Sequence, residues 1–231
     1  MTPLVLIPGM MCDARLFGPQ INTFSGTRPI HLAPICGRDN VSALAADVLE
    51  KAPPRFALAG LSMGGIIAME ILHQAPERVE RLCLMDTNPL AERGEVKARR
   101  EPQIDQVRAG HLRAVMRDEL KPNYLADGPN KQSVLDLCMD MALGLGPDVF
   151  ERQLRALQTR PDQQETLKTV SVPTLILMGD QDLLCPRDRH ELMHKLIASS
   201  SFQIIAEAGH LPTLEQPEAV NAAFEAWFAM S

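Results

Sequence analysis

The segment Gly60-Leu61-Ser62-Met63-Gly64, followed by Gly65, sets a serine between two glycines. It lies after the apolar run 56–59 and before a helical pattern that starts near Met63. A strand that turns sharply into a helix holds such a serine in a strained conformation with its hydroxyl exposed. Glycine on either side lets the backbones pass closely, and the new helix points free N–H groups and its positive dipole end at the same space. A serine hydroxyl is nevertheless a poor nucleophile until a base takes its proton.

Six histidines are available as that base. His210 stands out, because Gly209-His210-Leu211-Pro212 directly follows an apolar run and places it on a loop at a strand's C-terminal end. His31 and His73 read as histidines satisfied by backbone contacts, and His111 as a surface residue. His190 and His194 are four apart on one helix, a spacing a metal could use, but no carboxylate ligand is well placed around them in sequence. A histidine base needs a carboxylate to fix its tautomer and stabilise its charged form. Asp180 and Asp182 after the run 174–178, and Asp86 after the run 79–85, all qualify by position. Acyl transfer also needs donors for a developing oxyanion. The backbone N–H groups of Met10, after Pro8-Gly9, and of Met63 are the candidates.

These groups need elements to carry them. Short apolar runs at 4–7, 29–34, 56–59, 79–85, 174–178 and 202–205 are continuous rather than alternating, as strands buried on both faces are. Helical patterns near 14–24, 41–51, 63–74, 187–197 and 217–229 fall between and after them, which predicts a mostly parallel sheet with helices on both faces. Gly9, Ser62, Asp182 and His210 then all follow C-terminal strand ends, where open parallel sheets put their sites. Residues 89–161 break the alternation. They show helical spacing, no convincing strand and about half of the chain's Lys and Arg. That length exceeds an ordinary crossover and predicts a helical cap inserted into a core of residues 1–88 and 162–231.

Composition bounds the setting. The chain has 231 residues, 45% apolar and 23% charged, with net charge −6. Interspersed charges of that balance argue against a nucleic-acid surface and for a small-molecule partner. No run approaches the ~18 apolar residues of a membrane span, and the N-terminus lacks the pattern of a signal peptide. Five scattered cysteines without a CxxC pair read as reduced thiols of a cytoplasmic protein, neither a disulfide frame nor a zinc site. Oligomeric state is left open.

With these residues in view, the chain resembles the α/β-hydrolase fold superfamily, on its carboxylesterase and lactonase-like side. The likeness is specific in the segments 59–65, 179–182 and 209–217 and covers nearly the whole chain. It implies Ser62 as nucleophile, His210 as base and Asp182, rather than Asp180, as the acid, with Met10 and Met63 as oxyanion donors. Members often carry His-Gly where this chain has Pro8-Gly9, and they usually begin with two further strands, so a trimmed sheet of about six strands is implied. A serine at the elbow argues against the dehalogenase and epoxide-hydrolase branches, which use an aspartate. The implied activity is hydrolysis of a small or medium carboxylic ester or thioester through an acyl-enzyme, without metal or organic cofactor. Carbon–carbon bond hydrolysis, lactone hydrolysis or non-catalytic binding of a small molecule are the alternatives. Met11, Met116 and Met139 are expected on the substrate wall, which predicts a largely apolar acyl group.

Overall fold

The computed structural model describes residues 1–230. Six strands, β1 (Leu4–Ile7), β2 (Ile30–Leu32), β3 (Phe56–Leu61), β4 (Val79–Met85), β5 (Thr174–Gly179) and β6 (Ser200–Ile205), form one sheet in the order β2-β1-β3-β4-β5-β6. Every pairing is parallel. Each run anticipated from the sequence is present as a strand, β2 in shortened form. The inner strands β1, β3 and β5 are buried at every position, whereas the edge strands β2 and β6 are partly exposed.

The helices are α1 (Gly18–Phe24), α2 (Val41–Lys51), α3 (Met63–Gln74), α4 (Gly94–Arg108), α5 (Leu112–Val115), α6 (Lys131–Leu145), α7 (Pro147–Gln158), α8 (Gln164–Lys168), α9 (Arg187–Leu196), α10 (Pro212–Glu215) and α11 (Pro217–Ala229). Alternate side chains of a strand point to opposite faces, and the core divides accordingly. Val5, Ile7, Leu58 and Leu84 pack with α2, α3 and α9. Leu4, Leu6, Ala59 and Met85 pack with Phe17, Phe24, Phe224 and Trp227, from the other face. This is the layered α/β arrangement implied by the resemblance. None of the described helices is long and apolar enough to cross a membrane, and all five cysteines are free thiols.

The chain leaves β1 toward β2 and returns on β1's other side as β3, so the direction of strand addition reverses between β1 and β3. A crevice opens at such a reversal, at the carboxyl ends of the strands. The turn from β3 into α3 fills the base of that crevice at very close range. A Cβ on Gly64 would sit 2.1 Å from the Ile7 carbonyl oxygen, and one on Gly60 would sit 2.3 Å from the Gly64 carbonyl oxygen.

Between β4 and β5 the described chain is helical, with no strand. The buried Gln153 of α7 ties this region to the sheet. Its Oε1 accepts from Met11 N–H at 2.8 Å and its Nε2 donates to the Ile35 carbonyl at 3.1 Å. One amide thus joins α7 to the loops after β1 and β2. Met11 needs that support, since it is a non-glycine residue at φ 55°. α8 packs instead against α3 and α9.

Gly64→Ala is expected to lose at least about 2 kcal/mol of stability in urea unfolding, because backbone on both sides must give way. Unchanged stability would mean that the turn does not require this contact.

Candidate active site

The sharp turn between β3 and α3 sets Ser62 at φ 56°, ψ −117°, a conformation L-residues rarely adopt. The strain is held by backbone on every side. Ser62 N–H donates to the Met85 carbonyl at 2.9 Å, while the Ser62 carbonyl accepts from Gly65 N–H at 3.0 Å and from the Thr87 hydroxyl at 2.7 Å. Beside Ser62, the amides of Met63 and Met10 donate to no protein group among the described residues. Both residues line the same cavity as Ser62. One is the first residue of α3 and the other the second residue after Pro8, so two amides without an acceptor belong to residues on the wall that also carries Ser62.

His210 lies on the loop between β6 and α10. Its Nε2 is 2.9 Å from Ser62 Oγ and its Nδ1 is 2.9 Å from Asp182 Oδ2. The loop is clamped by Glu215, whose Oε2 accepts from Gly209 N–H at 2.9 Å and Ala126 N–H at 2.8 Å, and whose Oε1 accepts from Leu211 N–H at 2.9 Å. His210 N–H itself donates to the Tyr124 carbonyl at 2.6 Å. The histidine is therefore pinned from its own loop and from the inserted helical region. Glu215 lies inside the segment 209–217 that carries the family likeness, but its residue type does not announce this clamp, and Tyr124 acts through its backbone carbonyl, which leaves no signal in the sequence.

Asp182 follows β5, and its Oδ1 accepts from Leu184 N–H at 2.8 Å and Cys185 N–H at 3.1 Å. Burial works to raise its pKa. The neighbouring His210, the hydrogen bond to it and these two amides outweigh burial and hold the carboxyl below the usual range. It is thus a buried, charged acceptor on the Nδ1 side of His210, which leaves Nε2 to face the serine.

The two rival aspartates differ from it. Asp180 is exposed and accepts from Ala208 N–H at 3.2 Å, the contact of a turn. Asp86 is fully buried at φ 44°; Gly179 N–H donates to its Oδ1 at 2.9 Å, and Oδ2 has no partner. Burial first, and then the nearby Asp182 charge, push its carboxyl well above the usual range. Asp86 is therefore the member of the pair that holds its proton more tightly.

The pair His190 and His194 separates in the fold. His190 is buried, its Nε2 accepts from Thr87 N–H at 3.3 Å, and its Nδ1 faces the Pro186 carbonyl at 3.4 Å. Burial lowers its pKa to about 4. It thus braces Thr87, which in turn holds the Ser62 carbonyl, while the exposed His194 bonds Ser200 Oγ at 2.8 Å. Asp182, Cys185 and His210 come within 4.8 Å of one another, a spacing that can suit a metal ion. Both nitrogens of His210 are already engaged, and burial pushes the Cys185 thiol well up, so this set is poorly disposed to ligate one.

Above Ser62 lies a cavity of about 610 Å³. Met63, Ile66, Leu90, Leu120, Leu157 and Leu211 supply apolar wall. The expected substrate wall of Met11, Met116 and Met139 is corrected here. None of the three lines the cavity, and all are buried in the core on the α3 side of the sheet. Helical spacing identifies an apolar face without saying whether core or cavity lies opposite it. In their place the wall carries five arginines: Arg93, Arg99, Arg100, Arg160 and Arg189.

Residues 6–223 match the alpha/beta hydrolase family. Over 230 residues the chain is 29% identical to a pimeloyl-acyl-carrier-protein methyl ester esterase of Salmonella agona, covering 94% of this chain and 90% of that one. Among solved structures, a malate-bound thermophilic esterase from Thermogutta terrifontis superposes with a TM-score of 0.90 at 26% identity, over 99% of this chain and 89% of that one. The enol-lactonase of Burkholderia xenovorans shares the fold with a TM-score of 0.87 at 20% identity, over 98% and 91% of the two chains.

The contrast between the two buried aspartates is testable. Asp182→Asn is expected to lower turnover of a p-nitrophenyl ester by up to ~10⁴-fold, since the wrong histidine tautomer results. Asp86→Asn mimics the protonated acid and should change turnover by less than about tenfold, on the scale of one hydrogen bond. The reverse ranking would reassign the acid. Asp86 also links stability to pH. Its pKa is raised in the fold, so its contribution is full below about pH 4 and is lost as pH rises through the folded value. Urea unfolding from pH 4 to 8 should show that Asp86→Asn removes a fall of up to about 1.4 kcal/mol per pH unit. An identical pH dependence in both proteins would contradict a raised Asp86 pKa.

Proposed function

Because the chain belongs to the alpha/beta hydrolase family, we propose that it is a serine hydrolase that cleaves a small or medium carboxylic ester or thioester through an acyl-enzyme. The observation that carries this reading is the unbroken line from Ser62 Oγ through His210 to Asp182, with 2.9 Å at each step. The esterase relatives agree with it in reaction class.

Ser62 Oγ attacks the carbonyl carbon as its proton passes to His210 Nε2. Asp182 stabilises the imidazolium through Nδ1 without itself taking the proton. The oxyanion is received by the free amides of Met10 and Met63, donors fixed in place before the charge develops. Collapse of the tetrahedral intermediate breaks the bond to the alcohol or thiol, which leaves with the proton from His210. Water then repeats the sequence on the acyl-enzyme, with His210 as base, and releases the acid and the free Ser62 hydroxyl. Residues 89–161 serve as the cap over a core of 1–88 and 162–231, supplying Leu120, Tyr124 and Leu157 to the wall. The free cysteines fit a reduced, cytoplasmic setting.

A fluorophosphonate probe is expected to label the wild-type protein at Ser62 and to spare Ser62→Ala. That variant should also lose ester turnover by ~10⁴-fold or more, leaving only the contribution of binding and the oxyanion donors. Equal labelling of both proteins, or turnover that survives the substitution, would refute the nucleophile.

A further inference from the structure

The cavity above Ser62 holds more positive charge than its own carboxylates can balance. Glu92 is the one carboxylate on its wall among the described residues, against five arginines. Glu92 is itself buried, with a side chain only 5% exposed, and it is shared. Arg100 donates to its Oε2 through Nε at 2.9 Å, and Arg160 Nη2 lies 3.1 Å from its Oε1. The Arg160 side chain is 9% exposed and spends its Nε on the Leu90 carbonyl at 3.0 Å. Arg189, 23% exposed, has as its only ion-pair partner among the described residues the largely solvated Asp188, at 3.5 Å. Arg99 has no ion-pair partner among the described residues.

Taking guanidinium groups out of water is costly unless anions meet them. Arg100 and Arg160 share one carboxylate, and Arg189 has only a largely solvated partner, so the site is short of negative charge. Consistent with this, burial lowers the Arg160 pKa in spite of Glu92, and the nearby Arg100 and Arg189 lower it further. These arginines are not a remote surface feature. Arg160 and Arg189 share the cavity wall with Cys185, whose Sγ lies within 4.8 Å of the Asp182 and His210 side-chain atoms.

We propose that this arginine wall is a subsite for a carboxylate carried by the substrate itself, so that the preferred ester or thioester bears an anionic group beyond the scissile bond. The inference rests on the hydrolase reading above and narrows it. The apolar wall of the same cavity accepts a short methylene spacer. The planar fork of Arg189, whose one ion-pair partner among the described residues is the solvated Asp188, meets the carboxylate with the charge of Arg100 and Arg160 on the same wall. The largely apolar acyl group expected from the sequence leaves these arginines without a task.

The test compares monomethyl esters of dicarboxylic acids, from succinate to suberate, with neutral methyl esters of matched length. Wild-type protein is expected to favour an anionic ester of one chain length by about 10- to 100-fold in kcat/KM, the scale of a charge-assisted hydrogen bond. The preference should shrink as salt is raised. Arg189→Gln, which leaves the Glu92 pairs intact, should cut the anionic-to-neutral ratio by about tenfold. Arg99→Gln, at a wall position with no ion-pair partner among the described residues, should cut it as well. A ratio near one in the wild type, or a ratio unmoved in both variants, overturns the subsite while leaving Ser62-dependent hydrolysis standing. Calorimetric titration of Ser62→Ala protein with monomethyl glutarate, dimethyl glutarate and methyl phosphate reads the subsite without turnover. Binding of the monoester alone supports it even if the hydrolase reading fails. Equal binding of monoester and diester, or tighter binding of methyl phosphate, contradicts a carboxylate site.

Discussion

Everything at this site depends on how closely the β3–α3 turn is pressed against the end of β1. The Gly64 backbone leaves no room for a side chain beneath Ile7, and Gly60 leaves none beneath Gly64. That contact holds Ser62 at positive φ, and positive φ is what turns its hydroxyl outward into the cavity. It also sets the first amide of α3 beside the loop that carries Met10. The strain at one residue is supported by ordinary structure: an inner parallel strand on each side, Thr87 on the Ser62 carbonyl, and His190 behind Thr87.

The electrostatics follow from burial and from which groups donate. Two carboxyl groups near each other in a dry interior resist ionising together. The fold separates them by unequal solvation. Asp182 receives two backbone amides and the histidine, and stays charged. Asp86 receives only Gly179 N–H, and burial and the Asp182 charge push its carboxyl well above the usual range. The acceptor at His210 Nδ1 is thus the carboxylate of the two that ionises more readily. At the cavity's arginine wall the same physics acts with the opposite sign, since Arg100 and Arg160 share the single carboxylate of Glu92.

Much of this was legible in the sequence where the signal is local. Gly60 to Gly65 describes its own turn, and the six apolar runs reported the strands because inner parallel strands are apolar on both faces. The placement of Ser62, Asp182 and His210 at strand ends followed from that order. What stayed hidden depends on contacts between distant segments. Gln153 and Glu215 each stitch loops together through backbone amides, and neither amide bonding nor loop proximity is written in residue type. The spacing of His190 and His194 suggests a pair, whereas burial separates them and makes His190 a brace for Thr87. The methionines misled for a related reason: an apolar residue fits a core and a pocket equally well until the packing is known. The arginines of the 89–161 region were noticed as composition, yet only folding turned Arg100 and Arg160 inward, together with Arg189 from outside it.

The central claim is that the Met10 and Met63 amides receive the oxyanion formed when Ser62 attacks. A crystal structure of the protein inhibited by a small phosphonate tests it directly, because the tetrahedral adduct stands in for the intermediate. The account predicts phosphorus bonded to Ser62 Oγ and a phosphoryl oxygen within about 3 Å of both amide nitrogens, the range of a charge-assisted hydrogen bond. A phosphoryl oxygen turned away from those two amides, or an adduct on any other residue, would contradict it.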